Sequence, residues 1–279
     1  RTLVTVLAAA MLALFGAAMA PPKVVDYPGL GLDPGTVGGS LTLPLGAAPP
    51  TFLYYAQIDN ATQTLTGQVF DSLVEFNLET YALEPGLAAS WDVSEDGTVI
   101  TCHLREGVTW HDGTPFTAED VVFTYENIIA NPEARAGDAA QFTFTVEGEQ
   151  RQVTFEAPDE HTVVMTLPAP AAAFLLQQRF PIMPKHKLLD FSVEGGAAPG
   201  DINNAWPTDV DLSEVVGTGP FMYRSYTPGQ LVVLERNPNY WKQDAADTQL
   251  PYAEELRFLV VQGTEAQTAQ FLAGNLDQL

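Results

Sequence analysis

One stretch narrows the possible folds of this chain more than any other: residues 87–129, LAASWDVSEDGTVITCHLREGVTWHDGTPFTAEDVVFTYENII, read as strand, strand, tight turn and capped helix in immediate succession. Residues 94–97 form a polar turn, and the β-branched run 98–104 can alternate between the two faces of a sheet. His111-Asp112-Gly113-Thr114-Pro115 is a second turn, in which Gly113 permits a positive φ and Pro115 fixes its own. Thr117 stands three residues before Asp120, the spacing at which a hydroxyl caps the free N–H groups of a new helix. Glu119 and Asp120 then sit at the positive end of the helix dipole. Val121, Val122, Tyr125, Ile128 and Ile129 fall at helical spacing and make one apolar stripe, which Pro132 ends.

The remainder is mixed in the same way. Its patterning predicts strands at 41–45, 98–104, 152–156, 162–167, 221–226, 231–235 and 256–261, and helices at 62–76, 118–130, 171–178 and 264–273. Strands and helices alternate without a strict βαβ period, as in an α/β lobe carrying an inserted subdomain. The length beyond a Pro- and Gly-rich linker at 21–40 suffices for one large or two small cores.

Residues 87–129 resemble the signature region of the dipeptide- and oligopeptide-binding family (family 5) of ABC-transporter solute-binding proteins, which show a strand, HLR-x-G-V, an HDG-x-P-F turn and TAEDVV-F opening a helix. Residues 215–241, VVGTGPFMYRSYTPGQLVVLERNPNYW, are similar to the family's VGTGPY, P-G and L-RNP-YW run. Residues 251–279 resemble the strand and helix that follow it, 39–76 the opening strand and first helix, and 157–167 the APDE-H-TVV-TL hairpin. Residues 194–211 match nothing in that pattern, and Cys102 takes a place that is usually aromatic or aliphatic.

The resemblance implies an α/β, two-lobed periplasmic-binding-protein fold of class II, here mainly the first lobe. Residues 41–72 and 168–279 would form that lobe, 73–167 an inserted α+β subdomain packed on it, and 279 would lie near the hinge into a missing second lobe. In this family the ligand lies between lobes that close by hinge motion.

The N-terminus, almost wholly apolar from Leu3 to Ala20 after Arg1, reads as a signal peptide over 1–20, too short for a membrane span. Ala18-Met19-Ala20 is the obvious cleavage motif, although Pro21 is a poor neighbour for it, with Gly16-Ala17-Ala18 as the fallback. An opening Arg rather than Met, together with the resemblance, gives the expectation of a piece cut at both ends. The single cysteine, Cys102, rules out an intramolecular disulfide, and it is misplaced for a lipoprotein anchor. It reads as a buried strand thiol. These features favour a free periplasmic protein over a tethered one, and a monomer is expected. The net charge of −23 repels nucleic acid and anionic lipid. It reads as a solvated acidic surface suited to saline surroundings more readily than as steering of cationic ligands.

Candidate ligand contacts cluster in the loop after the first strand. Residues 54–60 lead into a helix near Thr62, so their side chains and the first free N–H groups gather at a strand's carboxyl end, where open α/β sheets bind. The resemblance places ligand contacts at Asp59, Asn60 and Ala61. Asp59 serves equally well as an ordinary helix N-cap. Tyr55 joins the candidates, with one of the adjacent Tyr54 and Tyr55 expected in the core. Adjacent His111 and Asp112 read as a turn, because no nucleophile motif accompanies them. His103, His161 and His186 lack metal-site spacing. Gly217-Thr218-Gly219-Pro220 lacks the Lys of a phosphate loop and reads as a turn at a domain crossing. Trp206 and Trp241 could stack sugars or peptide rings, Trp241 reading better as a packing anchor.

The resulting expectation is a carrier of short peptides that delivers them to membrane permease subunits, without cofactor, metal or catalysis. Two alternatives stand: the same fold holding an oligosaccharide or a chelated metal, and a secreted hydrolase whose catalytic residues lie beyond Leu279.

Overall fold

The computed structural model of the chain describes residues 35–279 apart from 57–58, 78–80, 136–138, 172–173 and 245. The signal peptide expected at 1–20 and the linker up to residue 34 lie outside the described residues. Strands follow in chain order as β1 (Ser40–Leu45), β2 (Val74–Phe76), β3 (Leu83–Pro85), β4 (Ala88–Val93), β5 (Val99–Leu104), β6 (Thr143–Val146), β7 (Glu149–Gln152), β8 (Thr154–Asp159), β9 (Thr162–Thr166), β10 (Phe221–Thr227), β11 (Leu231–Arg236) and β12 (Glu255–Val260). The α-helices are α1 (Asn60–Thr66), α2 (Ala118–Phe123), α3 (Lys185–Leu188) and α4 (Thr264–Leu272).

Two four-stranded sheets carry the fold. The first runs β1-β12-β11-β10, with β1 parallel to β12 and the other pairs antiparallel. Its register puts Tyr223, Leu234 and Leu256 in one row and Tyr226, Val232 and Phe258 in another on the same face. The ring of Phe52 closes on that face, 4.7 Å from Tyr223 and 5.4 Å from Tyr226. The second sheet, β4-β5-β9-β8, is antiparallel throughout, and β2–β3 and β6–β7 are separate two-stranded pairs. In β5 the residues Ile100, Cys102 and Leu104 point inward at period two. Cys102 is fully buried, and burial pushes its thiol up to about 12, so it behaves as a small hydrophobe.

The capped helix forms at the expected place. Thr117 donates its N–H to Asp120 Oδ2 at 3.0 Å, one arm of a capping box. Asp120 is buried and also receives the Lys185 N–H at 3.0 Å and the Trp110 indole N–H at 3.3 Å, so one carboxylate joins the helix start to α3 and the preceding turn. From Thr124 to Ile129 the helix widens to π pitch. The change begins where the Thr124 hydroxyl bonds the Asp120 carbonyl at 2.8 Å while accepting the Met183 N–H at 2.9 Å.

Two expected helices differ. The helix expected over 62–76 starts at Asn60 and stops at Thr66, and residues 74–76 are strand. Its apolar spacing is helical, but the Gln68 and Val69 carbonyls are taken by the N–H groups of Phe221 at 3.0 Å and Gly219 at 2.9 Å. Tertiary bonds therefore replace the helical ones. Glycine is required at 217, where an added Cβ would lie 1.8 Å from the Val69 carbonyl oxygen. Of the helix expected over 171–178, residues 172–173 lie outside the described residues and Phe174–Gln177 form a single 3₁₀ turn. The pairs β2–β3 and β6–β7 and the short α3 were not anticipated.

Asp71, just beyond the turn that ends α1, accepts the Trp241 indole N–H at 2.8 Å and the Tyr240 hydroxyl at 3.3 Å. Burial raises its carboxyl above the usual carboxylate range. The Arg105 guanidinium lies 4.8 Å over the Trp241 ring and donates to the Gly86 carbonyl at 2.7 Å. Trp241 is thus a packing anchor. Among the described residues, no helix is long and apolar enough to cross a membrane.

Candidate functional site

Because β1 and β12 are parallel, their carboxyl ends meet. Leu45 is in register with Val260, and the Val261 N–H donates to the Leu45 carbonyl at 2.9 Å. The loop 46–59 leaves from one strand end, and 261–263 leaves from the other, turning into α4 at Gly263, whose φ is 83°. Both connections therefore open on the same edge of the sheet, the position that open α/β sheets use for ligands.

The loop after β1 is held by backbone bonds. Phe52 donates its N–H to the Trp206 carbonyl at 3.0 Å, and the Thr51 hydroxyl donates to the same oxygen at 3.1 Å. Thr51 Oγ1 in turn accepts the Leu53 N–H at 3.1 Å, and the Thr62 hydroxyl donates to the Thr51 carbonyl at 3.3 Å. Trp206 adopts φ 53°, uncommon for a bulky side chain, and its ring stacks on Phe70 at 5.9 Å. With 2% of its surface exposed, Trp206 offers no face to a sugar or a peptide ring.

At the far end of the loop, Asp59 is in extended geometry and its Oδ1 accepts the Thr62 N–H at 2.9 Å, an N-cap. Its Oδ2 is buried and has no hydrogen-bond partner. One carboxylate thus caps α1 and keeps an acceptor in reserve. Asn60 is exposed beside it, and Ala61 is buried. Tyr55 is the tyrosine turned into the core: it is 3% exposed and its hydroxyl donates to the Pro181 carbonyl at 2.8 Å. That placement speaks against the ligand contact expected of Tyr55. Tyr54 is the half-buried one, with its ring 4.9 Å from Tyr55 in an edge-on arrangement.

His111 is engaged on both sides. Its Nδ1 accepts the Gly217 N–H at 3.0 Å and its Nε2 lies 3.0 Å from the Gly219 carbonyl, which fixes a neutral ring with the proton on Nε2. Burial lowers its pKa to about 4, against the opposing pull of the Gly219 carbonyl and Asp112. Asp112 instead faces His186 Nε2 at 2.9 Å, so His111 and Asp112 do not form an acid–base pair. Among the described residues, no group of three or more His, Cys, Asp or Glu could hold a metal ion. The Trp206 carbonyl was outside sequence reasoning, since a backbone contact leaves no residue-type signal.

Residues 82–279 match the family model described as bacterial extracellular solute-binding proteins, family 5 middle. The chain belongs to that family. Among its relatives, this family 5 protein is 34% identical over 213 residues to the periplasmic alpha-galactoside-binding protein of Rhizobium meliloti (strain 1021), covering 72% of this chain and 29% of the relative. It is 33% identical over 212 residues to di/tripeptide-binding protein 1 of Pseudomonas aeruginosa (strain UCBPP-PA14), covering 72% and 37%. A similar solved structure is the periplasmic binding protein MelB of Agrobacterium fabrum C58 in complex with stachyose, with TM-score 0.76 and 27% identity over 87% of this chain and 37% of that one. The fold is therefore that of the periplasmic binding proteins, and the chain spans about a third of the length of these relatives. Family 5 is a family of substrate-binding proteins rather than enzymes, and its members are periplasmic or extracellular.

Proposed function

We propose that this chain carries the first-lobe half of the binding cleft of an extracytoplasmic solute-binding protein, which captures short peptides and delivers them to the permease subunits of an ABC importer. The carrying observation is the buried, unpartnered Oδ2 of Asp59 at the edge where β1 and β12 end. A buried acceptor without a donor costs about 1–3 kcal/mol, a cost that a ligand N–H group removes on binding. The named di/tripeptide-binding relative supports peptides as the donor. We read residues 73–167, which contain the β4-β5-β9-β8 sheet, as the inserted subdomain, flanked by 41–72 and 168–279. The protein is exported by its signal peptide to the periplasm, acts as a monomer, and breaks no bond in its ligand.

Calorimetric titration of the full-length protein with Ala-Ala-Ala tests this reading. Saturable binding is expected, weakened about tenfold in Asp59→Asn, which keeps an Oδ1 for the cap and removes the charge. Absence of binding to any short peptide overturns it. A second reading, an oligosaccharide ligand, draws on the alpha-galactoside-binding relative and the stachyose complex of MelB. Saturable binding of stachyose in place of the peptide would select it.

A further inference from the structure

The segment 194–211 builds a wall beside the loop after β1. Between the two lies a cavity of about 260 Å³ lined by Pro50, Thr51, Ala56, Arg135, Asn203 and Asn204, among others. Asn203 clamps the backbone around Arg135: its Oδ1 accepts the Arg135 N–H at 2.8 Å and its Nδ2 donates to the Glu133 carbonyl at 2.9 Å. A second Nδ2 bond, to the Gly200 carbonyl at 3.0 Å, ties the clamp to its own segment. Arg135 is therefore set in place through its main chain, and its exposed side chain has no ion pair or carbonyl partner among the described residues.

That is unusual in this molecule. Every other lysine and arginine among the described residues has an ion pair or a carbonyl partner. Arg105, Arg179 and Arg236 donate to carbonyls. Arg151, Arg224 and Arg257 meet glutamates, as do Lys185, Lys187 and Lys242. Only the Arg135 guanidinium has neither among the described residues. In a chain of net charge −23, with 35 acidic residues against 12 basic ones, an unpaired guanidinium is the exception. Its planar fork of N–H donors matches the two oxygens of a carboxylate.

We propose that this pocket is an oxyanion subsite in which Arg135 holds a carboxylate of the bound ligand, at the side of the cleft bordered by the β1–α1 loop. The proposal rests on the peptide reading above and deepens it, since it seats the ligand's anionic end against the first lobe. Asn203 acts as the positioning residue, and Thr51 and Pro50 bring the pocket wall to the same loop that carries Asp59.

The test follows the Nε–Hε resonance of Arg135 by NMR, in full-length protein, while Ala-Ala-Ala, its C-terminal amide and inorganic phosphate are added separately, with calorimetry alongside. The expected result is a shift with the free acid and none with the amide. Affinity for the acid should be about tenfold higher than for the amide, a difference that Arg135→Gln abolishes. Equal binding of acid and amide with a still Arg135 resonance overturns the subsite and leaves peptide capture standing. If neither peptide binds, the peptide reading falls and phosphate decides the subsite. A saturable shift with phosphate, lost in Arg135→Gln, supports a free-anion site, and no shift overturns the subsite as well.

Discussion

A single imidazole carries the sharpest pH dependence legible in this structure. In the unfolded chain His111 titrates near its ordinary 6.5, whereas burial in the fold lowers it to about 4. Above about pH 6.5 both states hold the neutral ring, and its bonds to Gly217 and Gly219 contribute in full. As pH falls from 6.5 through 4 the unfolded state takes up the proton first, so stability declines, by roughly 3 kcal/mol in all. Urea midpoints of the wild type and of His111→Gln, measured from pH 7 to pH 4, should differ by that slope; parallel curves would show that the ring does not titrate this way. At the same scale, the fate of Tyr54 and Tyr55 was undecidable from sequence. The acceptor that draws Tyr55 inward is Pro181, 126 residues away. The cap at Asp59 was legible because its acceptor and donor are three residues apart.

Among elements, α2 depends on one carboxylate. Asp120 satisfies the N–H groups of Thr117 and Lys185 and the Trp110 indole, so Asp120→Ala leaves three buried or half-buried donors bare. A loss of about 3 kcal/mol is expected, and Asp120→Asn, which keeps acceptor oxygen but not charge, should lose less than half of it. Denaturant unfolding of both variants measures the contrast, and equal losses would place the stabilisation in the charge alone. Start and apolar stripe of this helix were readable from Thr117 onward because both are local. The end of α1 was not, because Gly219 and Phe221 reach back across the fold to claim its next carbonyls. The brace on the candidate site was hidden for the same reason: Trp206 holds Thr51 and Phe52 through its main-chain oxygen.

Over the whole molecule, the net charge of −23 sets a self-repulsion that salt screens. Thermal unfolding followed from about 10 mM to 0.5 M sodium chloride should show Tm rising and then levelling as the Debye length falls below the spacing of surface charges. A falling Tm would mean that paired charges such as Glu194–Lys185 and Glu255–Arg224 outweigh the repulsion.

The parallel pairing of β1 with β12 also has a consequence in time. Ser40 finds its register partner in Glu255, roughly two hundred residues later in the chain. At synthesis rates of about 5–20 residues per second, β1 exists for ten seconds or more before its mate is made. Throughout that interval the strand that leads into the candidate loop lacks its parallel partner. A nascent chain stays open at this edge until nearly all of these residues have been made, and a chain halted before β12 leaves β1 a free strand edge, exposed to whatever other strand it meets.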